Sequence, residues 1–155
     1  NIQSVVIKLL RKKGYTLSVA ESCTGGHISD MLTGIAGASE VFMEGLITYS
    51  NESKIKRLKV KKDTIKQYGA VSEQTAREMA EGARRTLNTD IGISVTGIAG
   101  PGGATKEKPI GLVYIAIAKH DKVLVKECRF TGNRSTIKHN SSCEILNLLR
   151  LALLK

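Results

Sequence analysis

The sequence contains no tryptophan, and aromatic residues make up only 4% of its 155 positions. Ile, Leu, Val and Ala must therefore fill whatever core the 41% hydrophobic content builds. Its three cysteines, Cys23, Cys128 and Cys143, are odd in number and show no Cys-x-x-Cys spacing. That argues against a disulfide framework and a zinc site, and a reducing, cytoplasmic setting is expected. The three histidines, His27, His120 and His139, lack metal-ligand spacing, so no metal is expected. The longest apolar run, residues 145–154, is interrupted by Asn147 and Arg150. It falls short of the ~20 residues that span a bilayer, and no signal-peptide pattern stands at the start, so no membrane partner is expected. Repeats, low-complexity tracts and Pro/Gly linkers are also missing, and residues 1–155 read as one domain of ordinary size. The first residue is Asn1 rather than Met, as in a processed chain or a piece of a longer one.

Acidic residues are scarce beside basic ones, 14 against 24, for a net charge of +10. Lys8, Arg11, Lys12 and Lys13 form one basic cluster, and Lys54, Lys56, Arg57, Lys59, Lys61, Lys62 and Lys66 form another. Such clusters suit nucleic acid or a phosphorylated small molecule. No aromatic residues interleave with them as stacking platforms. That favours solvated helix faces and disfavours nucleic acid as a partner.

Apolar spacing predicts an amphipathic helix over residues 3–13 with Gly14 as its stop, a strand over 16–21, and a helix over 24–34. A strand over 41–49 and helices over 51–58 and 62–67 follow. Ser72 is a good N-cap for a helix reaching about Leu87, with Ala76, Met79, Ala80 and Ala83 on a narrow apolar face. Residues 90–97 read as a buried strand, 97–109 as a loop, and 110–119 with 122–130 as a hairpin. Asn133 caps a last helix reaching Leu154. Its apolar end could bury against the domain or a second subunit, and a homo-oligomer is expected. Helices alternating with strands, then a hairpin, predict an α/β fold: a three-layer α/β/α sandwich with a mixed sheet. If the early strands are parallel, the Ser22 turn, the 49–54 segment and the 97–103 loop share the sheet edge where such folds bind ligands.

The run Ala20-Glu21-Ser22-Cys23-Thr24-Gly25-Gly26 puts a hydroxyl and a thiol on a strand-to-helix turn. Free backbone N–H groups there can stabilise an oxyanion or hold a phosphate. A serine needs a base. None of the histidines has an evident carboxylate to orient it, and His27 lies about a turn beyond Ser22. A lysine can serve if burial or like charge lowers its pKa, and the basic cluster after Lys54 supplies like charge. Tyr49 and Lys54, at a strand end and in the next first turn, are thus a candidate second half of the site. Cys23 competes with Ser22 as nucleophile, and local chemistry leaves both open. The third element, Thr96 to Gly103, is glycine-rich enough for backbone amides to approach a ligand, yet it is neither a P-loop nor a dinucleotide fingerprint.

These segments together resemble the CinA C-terminal-domain family, the nicotinamide-mononucleotide (NMN) deamidases. The matching stretches are AESCTGG (20–26), GLITYSNESK (45–54), YGAVSEQTAREMA (68–80), SVTGIAGPGG (94–103) and EKPIGLVY (107–114), in family order across essentially the whole chain. The resemblance implies one amidohydrolase domain over 1–155, acting in pyridine nucleotide salvage. Its reaction would be hydrolysis of the NMN carboxamide to nicotinic acid mononucleotide and ammonia, by a serine–lysine mechanism with no metal or organic cofactor. It implies Ser22, Lys54 and Tyr49 as catalytic residues. It favours Ser22 over Cys23, because the family position after the serine is not always Cys. Expected substrate contacts are Thr24, Gly25, Gly26, Gly100, Gly102, Gly103, Thr105 and Arg134. Residues 104–106 depart from the family's usual glycine-rich continuation. Longer members carry a further N-terminal domain associated with pyrophosphatase activity. The alternative reading is a non-catalytic module that binds a nucleotide or nucleic acid through its basic faces.

Overall fold

The computed structural model describes residues 1–155. The chain opens with α1 (Ile2–Lys13), capped by the Asn1 side chain and stopped at Gly14 in the left-handed region, φ 67°. β1 (Leu17–Glu21) follows, buried at every position, then α2 (His27–Thr33), a 3-10 turn (Ala38–Glu40) and β2 (Phe42–Ile47). Three helices come next, α3 (Asn51–Leu58), α4 (Lys62–Tyr68) and α5 (Glu73–Thr86). β3 (Ile91–Gly97), β4 (Leu112–Ala118), β5 (Val123–Arg129) and α6 (Arg134–Leu153) complete the chain.

The strands form one five-stranded sheet in the order β2-β1-β3-β4-β5. β1 runs parallel to both its neighbours, β2 and β3, while β3–β4 and β4–β5 pair antiparallel. α1, α2 and α6 cover one face, where Val6, Leu10, Ile28, Leu32, Ile145 and Leu149 join Val19, Ile93 and Ile115 in the main core. α5 covers the other. Met79 and Ala83 meet Ala20 and Leu58, and Ala76 and Ala80 meet Ala116 and Ala118. Small residues let α5 lie close: a Cβ on Gly92 would collide with the Ala80 carbonyl, and one on Gly82 with the Leu58 carbonyl. This is the expected three-layer α/β/α sandwich with a mixed sheet. No helix is long and apolar enough to cross a membrane. Most of the apolar end of α6 packs into the core, leaving Leu151 and Leu154 exposed.

Three elements differ from the sequence expectation by two residues or more at one end. The helix predicted from residue 24 starts at His27, because Thr24 and Gly26 bond to Glu21 in a separate turn. The strand predicted over 41–49 is Phe42–Ile47, although Thr48 N–H still donates to the Glu21 carbonyl at 2.8 Å. β4 begins only at Leu112, after Gly111 at φ 90° passes so close to the Phe130 backbone that no side chain fits.

From β1 the chain moves outward to β2, then crosses back over β1 to β3. The carboxyl end of β1 is therefore the point where connections leave in opposite directions and a crevice opens.

Candidate active site

Ser22 sits in that crevice, one residue beyond β1. Its N–H donates to the Val95 carbonyl at 3.1 Å, extending the β1–β3 ladder and fixing the backbone that carries the hydroxyl. Lys54 arrives from α3, whose N-cap Ser50 accepts the Ser53 amide. The lysine is 1% exposed. Its Nζ donates to the carbonyls of Thr48 (2.7 Å) and Tyr49 (3.2 Å) and lies 2.8 Å from Ser22 Oγ. A neutral amine has two N–H groups and one lone pair. The two carbonyls take both N–H groups, and the lone pair is left facing the serine hydroxyl. Burial pushes the Lys54 pKa down from 10.5 to about 8. The basic cluster expected to depress it is not the cause.

The turn after Ser22 leaves two amides without a partner. Gly25 N–H returns to the Ser22 carbonyl, and the Gly26, Ile28 and Ser29 amides go to Glu21. The amides of Cys23 and Thr24 have no acceptor within the chain, and Cys23 also lines the cavity that fronts Ser22, so its amide is the donor free to meet an oxyanion there. The Cys23 thiol is pushed up to about 11 by burial.

A cavity of about 230 Å³ fronts the pair. Among the predicted residues, Ser22, Tyr49, Lys54, Gly100, Gly102, Gly103 and Arg134 line it, together with Cys23. Thr105 does not. It is exposed and bonds to Lys108 in its own loop. Thr24, Gly25 and Gly26 form the turn behind the serine rather than the cavity wall. Arg134 Nη1 donates to the Gly100 carbonyl (2.7 Å) and Nη2 to the Tyr49 hydroxyl (2.9 Å), tying the glycine loop to the 49–54 segment. Tyr49 therefore holds Lys54 through its main-chain carbonyl, and its phenol faces Arg134.

Glu21 was not singled out from the sequence, yet it organises the turn. Its carboxylate is fully buried. Oε1 accepts from Thr24 Oγ1, Gly26 N and Ile28 N, and Oε2 from Ser29 N and Oγ, at 2.7–3.1 Å. It thereby caps α2, whose Gly26 N-cap has no side chain to do so. The available signal was an acid at the end of a buried strand, which must find several donors close by. Glu21→Gln turns an N–H₂ toward at least two of these donors. A lower melting temperature is expected, from a loss of about 1–3 kcal/mol, with kcat falling at least ~10-fold as the turn that carries the Cys23 amide shifts. Unchanged melting and kcat would remove Glu21 from this role.

These features define an α/β protein with a serine–lysine pair at the carboxyl edge of its parallel strands. The chain belongs to the CinA C-terminal domain family, whose sequence pattern matches residues 1–153. It is 51% identical over 154 residues to a CinA-like protein of Kosmotoga olearia, covering 99% of this chain and 37% of that one. It thus spans a little over a third of the length of this curated relative. The competence/damage inducible protein CihA from Agrobacterium tumefaciens superposes with a TM-score of 0.92 at 40% identity, covering 99% of this chain and 96% of the other. A CinA superfamily protein from Klebsiella pneumoniae gives 0.96 at 30% identity, with the same coverage.

Proposed function

We propose that the protein hydrolyses the carboxamide of nicotinamide mononucleotide, releasing ammonia and nicotinic acid mononucleotide through a serine–lysine mechanism. The observation that carries this reading is the 2.8 Å contact between Lys54 Nζ and Ser22 Oγ, with both amine protons already committed to carbonyls. Ser22 Oγ attacks the amide carbon and passes its proton to Lys54 Nζ. The carbonyl oxygen becomes an oxyanion held by the Cys23 amide; one such donor is worth about 3–4 kcal/mol. Lys54 then protonates the departing nitrogen, and ammonia leaves an acyl-serine. Water attacks the ester while Lys54 takes its proton, and collapse of the second tetrahedral species returns that proton to Ser22 Oγ. Gly100, Gly102, Gly103 and Arg134 flank the nucleoside part of the substrate, with Arg134 and Tyr49 holding the two walls together. No metal or organic cofactor has a part in these steps.

The lowered pKa is what makes Lys54 usable. At pH 7 a group titrating near 8 is about 10% neutral, against roughly 0.03% for one near 10.5. Ammonia release from NMN is the test. The expected kcat/KM rises about tenfold per pH unit below pH 8 and levels off above it, because only the deprotonated amine accepts the serine proton. A flat profile from pH 6 to 8 contradicts the lysine base. No ammonia at any pH leaves the non-catalytic binding module in its place.

A further inference from the structure

Residues 68–72 and 107–111 have no part in the serine–lysine pair, yet the fold brings the two stretches together beside it. Residues 101–107 form a loop open to solvent. Its base is fixed where Ile98 N–H donates to the Leu112 carbonyl (2.9 Å) and Gly111 N–H to the Ile98 carbonyl (2.8 Å), and Arg134 holds Gly100. Beyond those points, a single hydrogen bond joins residues 101–108 to the rest of the chain: Lys108 Nζ donates to the Tyr68 carbonyl. Gly102 and Gly103, in this same loop, line the acyl cavity.

Both ends of that bond are prepared for it. Thr105 N–H donates to the Lys108 carbonyl (2.8 Å), and Thr105 Oγ1 accepts from Lys108 N–H (3.0 Å), closing a turn that carries the lysine. Tyr68 is the last residue of α4, where carbonyls lack a partner within the helix and favour a cation. Gly69, at φ 82°, leaves the room: a Cβ there would stand 3.1 Å from Lys108 Nζ. The anchor is itself held fast. Ser72 Oγ and Thr75 Oγ1 donate to the Gly69 carbonyl at 2.9 and 2.7 Å, and Thr96 Oγ1 donates to the Ala70 carbonyl at 2.8 Å. Ala70 and Val71, next in the chain, also line the acyl cavity. Lys108 thus ties together two segments that both wall that cavity.

We propose that Lys108 is a positioning residue of the enzyme: its ammonium holds the glycine loop against the end of α4 and so presets the wall on which the nucleoside part of the substrate lies. The proposal rests on the amidase reading. A tethered loop spares the substrate the entropy of ordering it. The reacting groups are held elsewhere, Ser22 by β3 and Lys54 by α3, so freeing the loop weakens ground state and transition state alike. Such a loss appears in KM and not in kcat.

The test compares ammonia release from NMN in the wild type, Lys108→Met and Lys108→Arg, together with the rate of tryptic cleavage after Lys106. Pro109 shields the bond after residue 108, so loop opening is read at Lys106 in all three proteins. Lys108→Met should raise KM at least ~5-fold with kcat within about twofold of wild type, and speed cleavage at least ~10-fold. Lys108→Arg keeps a charged donor and should return both most of the way. An unchanged KM in Lys108→Met, or a kcat loss as large as the KM rise, overturns the proposal and leaves the amidase reading intact. If the wild type releases no ammonia, that reading fails instead, and cleavage alone judges the tether. Equal cleavage rates in the three proteins overturn it in either case.

Discussion

Lys54→Met is expected to abolish ammonia release and, at neutral pH, to leave a protein at least as stable as the wild type. The activity loss follows from the missing base and should reach at least ~10³-fold in kcat. The stability argument comes from burial. An amine that is 1% exposed and titrates near 8 instead of 10.5 is held against its preference for water. Bringing it protonated into the fold costs about 3 kcal/mol at pH 7. Met matches the length of the stem and carries no charge, but it leaves the Thr48 and Tyr49 carbonyls without their Nζ donor, which takes back about 1–3 kcal/mol. The pH dependence separates the two contributions. The folded-state pKa lies below the unfolded one, so between about 8 and 10.5 the unfolded chain binds more protons, and wild-type stability rises with pH across that window. The variant lacks this rise, and every other titrating group cancels in the comparison. Its advantage over wild type should therefore shrink from pH 7 to pH 10 in paired denaturant melts. A gap that stays constant, or turnover near wild type, removes Lys54 as a buried base.

A buried catalytic lysine of this kind is stability given up for function. It also explains why part of the site was legible in the sequence and part was not. The strand ending at Glu21 and the helix beginning near Asn51 are local patterns, readable from apolar spacing and from Ser50 as a cap. Once β1, β2 and β3 are parallel, Ser22, Tyr49 and the 97–103 loop must share one edge, so the reading of three converging segments depended only on strand direction. The source of the lysine's low pKa was not readable. Like charge was visible in the sequence, whereas desolvation depends on what α5 and the strand ends pack around the side chain. Glu21 escaped attention because a carboxylate's role depends on which donors the chain folds back toward it, and Ser29 lies eight residues on. The Tyr49 phenol and Arg134, 85 residues apart, meet only because α6 begins beside the glycine loop. The contact of His27 with His139 has the same origin, since α2 and α6 pack as neighbours on one face of the sheet.

Ser22→Ala and Cys23→Ala should part by three orders of magnitude or more, which decides between the two nucleophiles that local sequence chemistry left open. Ser22 Oγ lies 2.8 Å from Lys54 Nζ, and its backbone is fixed by Val95. Removing the hydroxyl leaves only the oxyanion donors and binding, and kcat is expected to fall at least ~10³-fold. The Cys23 thiol also lines the cavity, but burial pushes its pKa up to about 11. At pH 7 such a thiol is ionised in only about one molecule in 10⁴, and the thiolate is the reactive form. Cys23→Ala keeps the backbone amide that meets the oxyanion and removes one small buried sulfur, so its kcat should stay within about tenfold of wild type. A mass-spectrometric trap gives an independent reading. Nicotinoyl ester on residue 22 is expected to accumulate with a slowly deacylating amide analogue, and acylation of Cys23 instead would reverse the assignment. With both amine protons of neutral Lys54 on the Thr48 and Tyr49 carbonyls, its lone pair is left for Ser22 Oγ at 2.8 Å. The same two bonds that lock the base in place therefore aim it at the serine hydroxyl.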